Sequence, residues 1–366
     1  MERTLHDKQT NKTWSIQQQD HRTFTSANGG KQKEKEHADA ASAVAYIQKE
    51  VWSRLKKGMV YVRPEAAAGE PKLHLYTSKG YTGFMPVSGW GDSDTCWFSH
   101  IDWDFVKETI CWIEPNGELR ASYELPCPGM NYELIAVAEA NLLLLNRDHA
   151  IVGLSVETGD VKHYARPGTS HASTLDVSGT RAVWADGNEL VVYDLGADAP
   201  YASYPIDVKM YEKHTPQLCA ALSPDGTKLA YCIDPSHIMV VDLATGTTTE
   251  VQKAAASLTD KLAFSADNST LFTKEPYSSL YGYDWQAAAG EQVIWERKDV
   301  KAAAFDSRRG RIALYRYGHV ELFDQQSFQL TMTFPVEHIV KTCSLAFTRD
   351  SIAVYTDYGC FSLYAL

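Results

Sequence analysis

The sequence predicts a mainly β protein, a seven-bladed β-propeller preceded by a small α+β domain. Three observations carry this. Ala220–Leu243 holds two short apolar strands and part of a third, separated by tight turns, which is most of a propeller blade. Similar units recur about every 40 residues, the propeller period. The charge reverses sign near residue 63, with 12 Lys and Arg against 7 Asp and Glu before it and 23 against 39 after it. A reversal of that size marks two parts with different partners.

Within the best-formed unit, Ala220–Leu222 runs into Ser223-Pro224-Asp225-Gly226, with Pro and Gly where a type I turn prefers them. Lys228–Ile233 and Ile238–Leu243 follow, separated by Asp234-Pro235-Ser236. Asp242 marks the end of the third strand. Equivalent positions are Ile113, Ser155, Asp194, Asp284, Asp324 and Tyr364, at intervals of 42, 39, 48, 42, 40 and 40 residues. The turn recurs as Ser265-Ala266-Asp267 and Thr348-Arg349-Asp350. A pair of β-sandwiches has regularly spaced strands too, but no reason to repeat one unit. A closed ring has that reason, because each blade buries both faces against its neighbours.

The N-terminal segment reads as a small sheet under one helix. Lys12–Gln17 alternates with Trp14 and Ile16 inward, and Arg22–Ser26 makes a second strand. Asn28-Gly29-Gly30 turns the chain, and Lys31–His37 is a solvated third strand. Asp39 is placed to cap a helix. Ala40, Val44, Ile47, Val51 and Leu55 share one of its faces. Gly58 ends the helix, and Met59–Val62 returns as a strand.

These residues resemble a WGR domain over residues 3–63 or so. The resemblance rests on Lys-x-Trp-x-Ile, the Gly turn followed by Lys-x-Lys, and Arg54-Leu55-Lys56-Lys57-Gly58-Met59-Val60, with Lys-Lys-Gly the most specific part. The Trp-Gly-Arg tripeptide that names the family falls at Thr23-Phe24-Thr25, so it is missing. The resemblance implies contact with broken DNA through an aromatic residue and a phosphate-holding cation. Here that leaves Phe24 to stack on a base and Lys31, Lys33 and Lys35 to attract phosphate, weakly and with strong salt dependence.

Residues 64–71, Pro-Glu-Ala-Ala-Ala-Gly-Glu-Pro, read as a linker, and 72–366 as the propeller. Leu73–Thr77 is the natural strand to close the last unit, which has no fourth strand of its own. Ser223–Ala230 resembles the WD-related repeat of TolB-type propellers. WD repeats themselves are approached only loosely, with Tyr193-Asp194, Val241-Asp242, Tyr283-Asp284 and Phe323-Asp324 where Trp-Asp would stand. This resemblance implies a scaffold and no activity.

Trp97, Trp103, Asp102 and Asp104 are the candidate lining of a ligand or partner pocket. Inward packing of the tryptophans and turn positions for the acids is the simpler reading of the same residues. Asp92-x-Asp94 lacks the Gly and Glu of a calcium loop. The histidines show no ligand spacing, and no nucleophile elbow, P-loop or dinucleotide motif is present. Seven scattered cysteines without a Cys-x-x-Cys pair fit reduced thiols in a cytosol. No apolar run of 18 residues exists, so no membrane span is expected.

The expected function is a non-catalytic interaction or scaffold protein of a bacterial cytosol. Its propeller face binds a protein partner, and the WGR-like module is an accessory docking domain. No catalytic residue, cofactor or metal is expected. The alternatives are nucleic-acid association through the WGR-like module, and an enzyme or ligand sensor using the axial funnel. The latter requires acids or histidines from several blades to converge near the axis.

Overall fold

The computed structural model describes residues 1–366 except 78–85, 102–106, 127–130, 148–149, 166–173, 207–217, 233, 277, 288–291 and 338–340. The N-terminal part contains β1 (Glu2–Asp7), β2 (Thr13–Gln19), β3 (Arg22–Ala27), β4 (Lys33–Glu36), α1 (Ala40–Leu55) and β5 (Met59–Val62). Alternation places Leu5, Trp14 and Ile16 on one face of this sheet, where Ile47, Val51, Leu55 and Tyr61 join them in a buried cluster. The side chain of Asp39 accepts the Ser42 N–H at 2.7 Å, which caps α1. Gly58 follows with φ +88°, a left-handed conformation that glycine adopts without strain. The helix buries Ala43 where the periodicity had suggested Ala40 and Val44.

Six four-stranded antiparallel sheets follow in chain order. Blade one lies within 87–126, blade two 131–163, blade three 176–205, blade four 220–252, blade five 261–297 and blade six 302–335. Seven such blades were expected, and this is corrected to six free-standing ones. Strands Cys343–Phe347, Ser351–Thr356 and Cys360–Ala365 pair in succession, and Cys360–Ala365 pairs with β6 (Pro71–Tyr76), but β6 also pairs with β5. The result is a nine-stranded sheet that runs from the ring axis out to β4. The physical reason is that the outer edge of β6 is not left open: Tyr61 stands opposite His74 and Val62 opposite Leu73. The loop before β6 is tied at both ends, with Arg63 N–H on the Lys72 carbonyl at 2.8 Å and Gly69 N–H on the Ala365 carbonyl at 2.9 Å.

The innermost strands pack side by side. Val87–Gly89 lies between Asn131–Val137 and Cys343–Phe347, and Cys343–Phe347 also meets Ala302–Asp306. Blades five and six share a core of Phe272, Leu280, Trp295, Val300, Ile312 and Phe323. Each of these cores forms between faces of neighbouring sheets, as a ring requires.

Close approach at the closure is sharpest at Gly89. A Cβ there would lie 2.1 Å from the backbone carbonyl oxygen of Phe347, which cannot rotate away. Gly89→Ala is expected to cost about 3 kcal/mol, the upper end of the overpacking range. Urea unfolding of the full chain measures this, and a change within about 0.5 kcal/mol would contradict the closeness of the two strands.

Candidate functional site

The strands nearest the axis do not fill it. They surround a cavity of about 390 Å³ whose lining includes Glu133, Asp176, Cys219, Asp260, Lys261 and Lys301. These residues sit at or just before the start of the innermost strands of blades two to six. Charged side chains from four blades, two, three, five and six, therefore converge on the axis, and among the described residues no histidine lines the cavity. Among the described residues, no group of three or more His, Cys, Asp or Glu is placed to hold a metal ion.

Two of the acids also bind blade to blade. Glu133 Oε2 accepts the Leu175 N–H of blade three at 3.3 Å, and Asp176 Oδ2 accepts the Leu222 N–H of blade four at 2.8 Å. Burial pushes the Glu133 carboxyl up to about 7, although the Leu175 N–H and Lys261 pull the other way. Burial likewise pushes Asp176 up to about 6, against the Leu222 and Val177 N–H groups and Lys261. Asp260 pairs with Lys274 at 2.6 Å. The Lys261 ammonium group makes no hydrogen bond or ion pair with a described residue, and Lys261 also lines the other end of the channel.

That other end is crossed by arginines. Arg308, in the first turn of blade six, reaches Glu139 of blade two at 2.7 Å. Arg309 pairs with Asp92 of blade one. Both ion pairs join blades that are not neighbours, so they span the mouth.

Trp97 lies at 0% exposure in a cluster with Trp90, Trp112 and Tyr123, ring centroids 5.1–6.1 Å apart. It packs the interface of blades one and two with Leu134 and Leu145, and it is not part of the cavity lining. Trp103, Asp102 and Asp104 lie outside the described residues. Asp94 accepts the Asp350 N–H at 2.8 Å and the Thr348 hydroxyl at 2.9 Å, and stands 3.3 Å from Lys72 Nζ. Those donors hold its carboxyl below the usual range despite burial, and they fasten blade one to the nine-stranded sheet.

The N-terminal candidates do not share a surface. In the register of β3 with β4, Phe24 stands opposite Glu34, while Thr23 and Thr25 stand opposite Lys35 and Lys33. Phe24 therefore lies on one face of the sheet and the two lysines on the other. Lys35 Nζ lies 3.7 Å from the centre of the Tyr46 ring. Lys31 is exposed and precedes β4.

The junction of this sheet with the propeller is polar and buried. Arg3, 6% exposed, donates to Glu337 Oε1 at 2.7 Å and to the Tyr61 hydroxyl at 3.1 Å. His74 Nε2 lies 3.3 Å from Glu337 Oε2, and its Nδ1 lies 2.6 Å from the Ser362 hydroxyl. The Glu337 N–H donates to the Tyr364 hydroxyl at 2.8 Å. Burial opposes the charge on Arg3, but Glu337 and Tyr61 outweigh it and raise the guanidinium above its ordinary value.

Among the described residues, no helix is long and apolar enough to cross a membrane. No family model matches the chain, and no curated protein matches it. Among solved structures, a chain of "Crystal Structure of Mitotic Checkpoint Complex" is similar at a TM-score of 0.61 with 10% identity, covering 82% of this chain and 93% of that one. In all, 1568 solved chains match, a breadth that belongs to an architecture and not to one activity. The likeness shows the fold, a β-propeller.

Proposed function

We propose that this chain is a non-catalytic interaction protein whose propeller binds a protein partner, with the inner strands of the nine-stranded sheet serving as the seventh sheet of the ring. The basic N-terminal module, WGR-like in sequence, is its accessory docking part, held on the propeller by β5, β6 and the Arg3–Glu337 pair. The observation that carries the reading is the outer edge of blade five. Val293 and Ile294, on the outermost strand Val293–Arg297, are each 45% exposed, and Leu330 on the outermost strand of blade six is 54% exposed. A groove of about 480 Å³ beside them is lined by Glu296, Arg297, Arg316, Glu321, Phe323 and Leu330. An open strand edge with apolar side chains is suited to taking an extended partner segment as an added strand. The described cysteines fit a non-catalytic role, since all six are buried. Burial raises thiols such as Cys219, Cys232 and Cys343 above their ordinary value, away from the reactive thiolate.

The test uses the full chain. Affinity purification from the cell that makes it, with wild type beside Ile294→Asp/Leu330→Asp, is expected to recover a partner with wild type and at least about tenfold less with the variant, at an unchanged melting temperature. Equal recovery by both proteins overturns the reading.

A further inference from the structure

We propose that the axial channel is a binding site for a small zwitterion, its ammonium group set against Glu133 and Asp176 and its acidic end against Lys261. The proposal goes beyond the interaction role, which needs only the outside of the propeller. It rests on three observations. The cavity, about 390 Å³, falls within the size range of small-molecule sites. Each of the two carboxylates is held in place by a backbone N–H of the next blade, so each is oriented before any ligand arrives. Lys261 exerts an attraction on both acids, yet its ammonium group touches no described partner. Opposite charges thus face one cavity without meeting.

The remaining charges do not cancel this arrangement. Asp260 is engaged with Lys274, and its Oδ1 is buried without a hydrogen-bond partner among the described residues. The far mouth is crossed by the Arg308–Glu139 and Arg309–Asp92 pairs. A molecule carrying both signs bridges the two sides with charge-assisted hydrogen bonds in a partly dewatered site, where such bonds are strongest. A simple amine satisfies only the acids and meets Lys261 as a like charge. A simple carboxylate meets the acids the same way.

The experiment is calorimetric titration of the full chain with glycine, β-alanine, γ-aminobutyrate and 6-aminohexanoate, beside n-butylamine and butyrate. At least one amino acid is expected to bind one to one, at least about tenfold tighter than either single-charge control. Lys261→Met and Glu133→Gln are each expected to weaken it about tenfold or more; the glutamine still accepts the Leu175 N–H, so the blade contact is kept. Melting temperatures of both variants check that they fold.

Affinity should also rise at least about tenfold from pH 5 to pH 8, as Glu133 and Asp176 lose their protons. The other groups facing the cavity are Asp260, Lys261, Lys274, Lys301, Cys219 and Cys343. The proposal is overturned if no amino acid binds, if butylamine or butyrate binds as tightly, if either folded variant binds like wild type, or if affinity is flat with pH.

Discussion

Deleting residues 70–82, a range that contains β6, is expected to convert the protein from a monodisperse species into aggregate. β6 is paired on both edges, with Cys360–Ala365 on one side and β5 on the other. Without it, two strand edges are bared at once, and unpaired edges template association. The loss is also one of packing. Leu73, at 0% exposure, sits in one cluster with Val60, Phe98, Tyr355, Phe361 and Leu363, which joins the N-terminal sheet, blade one and the last strands. Removing a buried leucine alone costs about 2–5 kcal/mol, a large part of the stability of an ordinary domain. Size-exclusion chromatography with light scattering reads the outcome, and a soluble deletion variant with one cooperative unfolding transition would show that the ring closes without this strand.

Glu337→Leu is expected to destabilise the protein by about 3–5 kcal/mol, because it leaves the Arg3 guanidinium buried without its counter-charge. The side chains of Arg3 and Glu337 are 7% and 12% exposed, so little water is at hand to take over. Arg3→Met/Glu337→Leu should cost clearly less than the sum of the two single changes, since removing both charges leaves none stranded. Urea unfolding of the four proteins measures the coupling. Additive single effects would mean that the pair contributes nothing beyond its separate contacts.

Much of the architecture was legible because the same physical device closes the third strand of successive sheets. Asp194, Asp242, Asp284 and Asp324 each accept backbone N–H groups of the turn that follows: Gly196 and Ala197, Ala244 and Thr245, Gln286, and Gln326 and Ser327. A short acid at a fixed place therefore recurs as a readable mark. The turn at Ser223 and its copy at Ser265 are built alike, with the hydroxyl on Asp225 at 2.6 Å and on Asp267 at 2.6 Å.

Other features were hidden for equally definite reasons. β1 places Arg3 at an inward position, so its alternation does not look apolar, although Arg3 is buried against Tyr61 and Glu337. The fusion of two sheets through β5 and β6 depends on pairing between segments that each read as complete. The channel is the clearest case. Glu133, Asp176 and Lys261 look like ordinary polar residues at strand starts, and only closure of the ring sets them facing one cavity. The tryptophans drew attention by their size, and Trp97 uses that size for packing.

The double pairing of β6 has a consequence for birth on the ribosome. The strand emerges early, but its inner partner, Cys360–Ala365, is made roughly 280 residues later. At about 5–20 residues per second, one flank of β6 waits roughly 15–60 s for its mate, while β5 can cover the other flank as soon as both are out. The N-terminal sheet thus acts as a half-shield for the nascent chain, and the circle is sealed only once Cys360–Ala365 has left the tunnel.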